Sequence, residues 1–380
     1  SCRKESNASN IYVLECLSLI ELLRYINRTE LKNVTVFTDH KNIVNSIDAG
    51  KNNDRYIDQI LHELSLNPTI NVKWINRKFN KKAHKLSREI IEGYQDKRIK
   101  LFNFQENKGV GAALKFGLTQ VNGKYIAKAD SDDINHPERL YKQKIYLDNH
   151  SDIALVKTLL EYFPHNEAVA NSQRFNYIKN ILEKQKNDIV TPEDIEEKLY
   201  WYCCIPHTTI MARTEVIKAI GYEEMRICED YKLFYQMNKK GFKMATIPEV
   251  LVRMRVSEIS VTAGAENQEF VSIMHDIKKE EINSLFTNQS KVYIWGSGSM
   301  GQNLFKVLNK YNLEIVGFVD SDKKKWGQTI EGRTIFPPNV LESNGTNNKI
   351  LLASQPGKFA IVDCLKKMGY KHLQDYVVLF

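Results

Sequence analysis

Three carboxylates fall within four consecutive positions, Asp130, Asp132 and Asp133, directly after the apolar run in "KYIAKAD". Like charges that close repel one another, and partial burial strips each of favourable hydration. Two arrangements relieve this. A solvated turn does so with ordinary loop chemistry, since Asp and Ser are common turn residues. A hard-cation site does so with Mg2+ or Mn2+ held by oxygen ligands. The residues alone leave both open. A second acidic group, Glu229 and Asp230, opens the helical stretch "EDYKLFYQM", where acids suit the positive end of the helix dipole. A third group is Gly296, Gly298 and Gly301, spaced G-x-G-x-x-G, with Asp320 about twenty residues further on.

The elements around these groups divide the chain into segments. Residues 1–93 alternate helix and strand: "IYVLECLSLIELLRYIN" has helical apolar spacing, "NVTVFTD" is β-branched, "DRYIDQILHELSL" is amphipathic, and "INVKWINR" is a second strand before the basic run "RKFNKKAHKLSREI". In 94–265, strand-like runs ("IKLFNF", "KYIAKAD") alternate with helices ("GVGAALKFGLTQV", "HPERLYKQKIYLDN"). Residues 266–290, "NQEFVSIMHDIKKEEINSLF" at their centre, contain no Gly or Pro and predict a helical linker. Residues 291–380 begin a new strand–glycine–helix unit and continue as alternating β and α. The fold expected is multidomain α/β.

Composition sets bounds. The 380 residues suffice for about two or three domains. A net charge of +8 permits an acidic partner without demanding one. Cys2, Cys16, Cys203, Cys204, Cys228 and Cys364 form no C-x-x-C pair, so neither a zinc cluster nor a disulfide framework is indicated. That usage fits a reducing cytoplasm, or its membrane surface. No run approaches a membrane span and no signal peptide is visible. The opening "SCRKESNASN" lacks an initiator Met, as a fragment would.

Four ordered blocks stand out in the second segment. They are N-x-G-x-x-x-A-x-x-x-G-L from Asn107, then G-x-Y-I-x-x-x-D-S-D-D from Gly123 with "HPERL" after it, then Glu229–Asp230, then the ending "RMRVSEIS". Together, over roughly 94–262, they resemble the family 2 glycosyltransferases of the GT-A fold. The resemblance implies an inverting transfer of sugar from a nucleotide-diphospho-sugar donor to a saccharide or glycoconjugate hydroxyl. It implies Asp132 as ligand of a divalent ion, Mn2+ or Mg2+, and Asp130 as the residue placing nucleotide or ion. Asp133 is left to shape the turn. Asp230, with Glu229 beside it, takes the place of the base that accepts the acceptor hydroxyl's proton. Asn107 and Arg255 fall where donor contacts are expected. Arg253 and Arg255 suit phosphate neutralisation or a solvated strand face equally. A lone His such as His207 is more often structural than a ligand. The His that follows such an arginine in related enzymes is replaced near Ser257. The family's first two strands, which grip base and ribose, have no convincing counterpart before "YQDKRIKLFNF", so the module is expected to be truncated at its N-terminal side.

Residues 11–91 are similar to the second half of a ribonuclease H-like domain. Glu15 matches its helical acid, Asp39 the acid ending the next strand, and Asn80 and Ala83 fit N-x-x-A-D, with His84 in the last place. Two-metal phosphodiester hydrolysis needs several carboxylates, so little nuclease activity is expected. Basic residues within 77–88 could track nucleic-acid phosphates or form a solvated face.

The glycines of the last segment have the context of a dinucleotide-binding fingerprint: strand "VYIW" before, helix "MGQNLFKVL" after, and "IVGFVD" ending at Asp320. They imply a Rossmann-like domain that binds a nucleotide or NAD-like ligand, or only packs on its neighbour. The leading function is metal-dependent inverting glycosyl transfer. The alternatives are nucleic-acid binding through the first segment and non-catalytic nucleotide binding through the last.

Overall fold

A computed structural model describes residues 11–38, 41–50, 55–74, 98–257 except 103 and 105, and 267–380 except 288, 344–346 and 356. Asp39, the basic run 77–88 with Asn80, Ala83 and His84, and residues 258–266 lie outside the described residues. The described chain divides into two compact units, residues 1–107 with 164–175, and residues 108–163 with 176–380.

In the first unit, helix α1 (Ile11–Arg28), strand β1 (Thr35–Thr38), helices α2 (Lys41–Ala49) and α3 (Arg55–Leu66) and strand β2 (Asn71–Trp74) follow in order. Helix α2 is absent from the sequence expectation. β1 and β2 pair in parallel, Val36 opposite Val72. Leu19, Ile20 and Leu23 recur at helical spacing on α1 and bury against Ile43, Ile57 and Ile60. Among its described residues, 99–102 and 104, the expected strand "IKLFNF" forms no strand, and Ile99, Leu101, Phe102 and Phe104 are exposed.

The second unit holds two sheets. The first comprises β3 (Tyr125–Ala127), β4 (Ile134–Asn135), β5 (Ile153–Pro164), β6 (Met211–Arg213) and β7 (Lys243–Val256), in the order β3-β6-β5-β7-β4. Around it lie α4 (Gly109–Gln120), α5 (Arg139–Asn149), α6 (Pro192–Leu199), α7 (Thr214–Ile220) and α8 (Glu229–Lys239). Strands β3 and β4 are nearly adjacent in sequence yet occupy opposite edges. Five strands at their usual spacing span roughly 19 Å. The chain between β3 and β4 therefore crosses the whole end of the sheet, and this crossing carries Asp130, Asp132 and Asp133.

The expected linker is two packed helices, α9 (Asn267–Ile277) and α10 (Lys279–Ser284), burying Val271, Met274, Ile277 and Ile282. Beyond it come β8 (Lys291–Trp295), α11 (Ser299–Lys310), β9 (Gly317–Val319), β10 (Thr329–Ile330), β11 (Arg333–Phe336), β12 (Asn348–Leu352), α12 (Lys358–Lys367) and β13 (Tyr376–Val378). Strands β11, β9, β8, β12 and β13 lie side by side in that order, all parallel, with β10 antiparallel on β11. The order reverses at β8, the kind of position where α/β sheets open a crevice. One apolar core runs from Leu155, Ala212 and Phe234 through Val271 and Met274 to Val292, Ile294 and Val377, so both sheets share an interior. Among the described residues no helix is long and apolar enough to cross a membrane.

Candidate active site

The acidic crossing is fixed by backbone and buried side chains. Asp133 N–H donates to Asp130 O at 3.2 Å, closing the turn. Asp130 N–H donates to Thr208 Oγ1 at 3.4 Å, ahead of β6. The Asp133 carboxylate accepts the backbone N–H of Arg255 at 2.9 Å, near the end of β7. Desolvation raises the Asp133 carboxyl above its ordinary range, against the lowering effect of that bond. Asp133 thus ties the turn to β7.

Asp130 and Asp132 face outward, with side chains 46% and 47% exposed. Each meets one cation. Asp130 is paired with Lys128, and Asp132 lies 3.4 Å from the Arg255 guanidinium. Arg253 points elsewhere, to Glu161 at 2.9 Å and over the Phe163 ring. The donor set is hard oxygen. Among the described residues no three His, Cys, Asp or Glu side chains gather as a protein-only metal cage would need. Two outward carboxylates fit an ion that takes its remaining ligands from water and phosphate.

Two residues that the sequence reading left unassigned hold this turn. The Arg139 guanidinium is buried and donates to Lys128 O at 2.8 Å, Ile210 O at 2.9 Å, Gln143 Oε1 at 3.0 Å and Asn135 Oδ1. Gln143 Nε2 donates to Thr209 O at 2.8 Å and Val156 O at 3.2 Å. Burial lowers the Arg139 group to about 10. The motif "HPERL" was the available signal, but the partners lie up to 71 residues away.

Glu229 and Asp230 are the first two residues of α8. Cys228, just before them, is left-handed at φ 64°, a conformation that costs a non-glycine residue about 1–3 kcal/mol and turns the chain into the helix. Asp230 Oδ1 accepts Tyr231 N–H at 2.7 Å, and Oδ2 lies 4.0 Å from Cys203 Sγ. Half-buried Glu229 is pushed up to about 7, first by desolvation and then by Asp230, with Lys128 and Asp130 also acting on it. His207 is held down to about 4 by desolvation, while feeling Asp230, Lys128 and Asp130. Its Nε2 lies 2.8 Å from Tyr222 Oη and its ring stands edge-on to Phe234. His207 is thus packed against Tyr222 and Phe234. Asn107 is the last residue of the other compact unit and is exposed.

In the second sheet, Gly296 follows β8 at φ 116°. A Cβ on Gly301 would stand 1.8 Å from Gly296 O, so helix α11 starts against the turn. A Cβ on Gly298 would meet nothing within 4 Å, which leaves open space where a ligand could approach. Asp320 is engaged within the fold. Its Oδ2 accepts Ser297 N–H at 3.1 Å, the Ser297 hydroxyl and Lys325 Nζ at 3.0 Å, and Oδ1 accepts Asp322 N–H at 2.9 Å. These bonds draw its carboxyl down to about 2 despite burial, which alone would raise it.

Three family models match the chain. "Glycosyl transferase family 2" covers residues 84–220, "Reverse transcriptase-like" covers 1–90, and "C2185-like, N-terminal" covers 288–373. The first match stops short of Glu229, Asp230 and Arg255. An uncharacterized glycosyltransferase of Methanocaldococcus jannaschii is 31% identical over 47% of this chain and 57% of its own length. An uncharacterized glycosyltransferase of Haemophilus influenzae is 28% identical over 60% of this chain and 66% of its own. The Escherichia coli UDP-Gal:alpha-D-GlcNAc-diphosphoundecaprenol beta-1,3-galactosyltransferase is 29% identical over 42% of this chain and 54% of its own. The chain thus spans between about half and two thirds of these relatives. Residues 84–220 are thus similar to the family 2 glycosyltransferases, and residues 1–90 to the reverse transcriptase-like family, within a mixed α/β chain.

Proposed function

We propose that the chain moves a sugar from a nucleotide-diphospho-sugar to the hydroxyl of a saccharide or glycoconjugate, with inversion. The observation that carries this reading is the link between the two acidic groups. Asp130 N–H reaches Thr208 Oγ1 at 3.4 Å, and the adjacent His207 ring stands edge-on to Phe234 of the helix that Glu229 and Asp230 open, so one short segment links the carboxylate turn to the start of α8 and the charges at both ends act on Glu229. The relatives' names support the donor class, and the Escherichia coli relative names UDP-galactose and a lipid-linked acceptor for itself.

Asp230 would accept the acceptor hydroxyl's proton as that oxygen attacks the anomeric carbon. The bond from that carbon to the donor's phosphate oxygen breaks, and the nucleoside diphosphate leaves with the electron pair. Lys128 and Arg255, paired with carboxylates in the free protein, are placed to meet the diphosphate's charge. Asp130 and Asp132 would hold Mn2+ or Mg2+, which when bound offsets charge on the leaving group. Glu229 keeps a neutral or charged neighbour beside Asp230 according to pH.

A thermal-shift titration tests this with UDP-, GDP- and dTDP-sugars, with and without Mn2+, on the chain and on Asp132→Ala. A ligand of the folded state raises its stability by mass action. A Mn2+-dependent shift lost in Asp132→Ala is expected. No shift from any donor contradicts the reading.

A nucleotide in a Rossmann-like C-terminal sheet is a second reading, favoured by the open space at Gly298. It would meet the loop and the start of α11 without Asp320, whose oxygens are already taken. Loss of nucleotide binding in Gly298→Val is expected, and unchanged affinity counts against it.

A further inference from the structure

The helical stretch that reads as continuous in sequence breaks at Lys278, whose side chain is fully buried. Its ammonium donates to three backbone carbonyls: Trp201 at 3.0 Å, Val378 at 2.7 Å and Leu379 at 3.1 Å. The first belongs to the transferase part. The other two are the end of β13 and the residue after it. The same Nζ lies 5.4 Å from the Tyr231 ring centroid. Among the described residues no carboxylate is bound to it, and a buried ammonium then requires such a set of acceptors, because desolvation is costly. Burial first, and then neighbouring Lys358, holds it well below the usual lysine range.

Both contacts on the transferase side lead to Asp230. Tyr231 is the next residue, and its N–H donates to Asp230 Oδ1 at 2.7 Å. Its hydroxyl donates to Leu199 O at 2.8 Å, at the end of α6. Trp201 precedes Cys203 by two residues, and Cys203 Sγ lies 4.0 Å from Asp230 Oδ2. Trp201 itself packs among Tyr293, Trp295, Tyr376 and Val378 of the second sheet. Asp230 Oδ2 therefore touches the segment that Lys278 fastens to β13, and Oδ1 accepts the N–H of the residue whose ring Lys278 lies against.

We infer that Lys278 is a positioning residue for Asp230, and that through it the C-terminal sheet is part of the transfer machinery. This rests on the reading of Asp230 as the base. A displacement of about 1 Å at a reacting group can cost about a hundredfold in rate, and loss of this tether releases the Trp201–Cys203 segment beside Asp230 and the cation against the Tyr231 ring.

The test uses the full chain with Lys278→Met, Lys278→Gln, Asp230→Asn and the double variant Asp230→Asn/Lys278→Met. It measures nucleoside diphosphate release from UDP-, GDP- and dTDP-sugars with Mn2+, and donor-dependent thermal shifts. Lys278→Met is expected to lower kcat about ten- to a hundredfold with donor KM and thermal shift within about twofold of the parent. Lys278→Gln, which keeps two N–H donors, should fall between, and it carries the test if the Met variant does not fold. In the Asp230→Asn background Lys278→Met should add no further loss of rate. Equal loss of kcat and donor binding in both Lys278 variants marks a merely structural lysine and overturns the inference. So does release untouched by Lys278→Met but lost in Asp230→Asn, which leaves the base reading standing. Asp230→Asn with parental kcat removes the base reading and this inference together.

Discussion

The guanidinium of Arg139 holds the backbone carbonyl of Lys128 at 2.8 Å, two residues ahead of Asp130. A fully buried cation on α5 thus fixes the point from which the carboxylates cross the sheet end. Arg139→Met would leave the carbonyls of Lys128 and Ile210 without this donor, at about 1–3 kcal/mol for each buried group left unsatisfied. The expected result is a loss of about 3 kcal/mol or more in urea unfolding, together with loss of the donor-dependent thermal shift. Arg139→Lys should not restore it, because an ammonium cannot reproduce a planar fork to four acceptors.

Glu229 gives a pH dependence of known sign. Its carboxyl is pushed up to about 7 by desolvation and by Asp230, above its ordinary 4.5. The folded state therefore binds more protons than the unfolded state between those values. Stability contributed by this group falls as pH rises from about 4.5 to about 7 and levels off above. Glu229→Gln should remove that fall, so its melting temperature gains on the parent's between pH 5 and 8. Parallel melting curves for the two proteins across that range would contradict the assigned environment.

Much of this arrangement was legible in sequence, and what was missed has a common cause. Helical spacing gave α1, α3, α4, α5 and α8, and the acids before β4 and at the start of α8 were identified by type and order. The run "IKLFNF" has a strand's composition but no strand assignment, because a strand is defined by its partner as much as by its own residues. Arg139, Gln143 and Lys278 were missed for the same reason. Each is a polar residue made to fit the interior by carbonyls from distant segments, 71 residues away for Arg139 and 101 for Lys278. The motif "HPERL" marks Arg139 without naming its partners, and nothing local marks Gln143 or Lys278. Asp320 was read by position as a ribose contact, and its bonds to Ser297 and Lys325 were not foreseen. The break at Lys278 carries no Gly or Pro signal.

The glycine loop separates packing from ligand access. A Cβ at Gly301 would collide with Gly296 O, whereas one at Gly298 would enter open space at φ −74°. Gly301→Ala should destabilise by about 3 kcal/mol or more through overpacking against backbone. Gly298→Ala should stay within about 1 kcal/mol of the parent. Chemical denaturation of both variants checks this, and similar losses in the two would contradict the described turn.

The central claim is that Asp230 is the base of a glycosyl transfer, and Asp230→Asn tests it most directly. The substitution keeps size and the acceptor for Tyr231 N–H while removing proton affinity. Nucleoside diphosphate release and the donor- and Mn2+-dependent thermal shift should be measured on the same preparation. The account predicts at least about a hundredfold loss of release with the thermal shift retained. Retained release, or equal loss of release and donor binding, would contradict it.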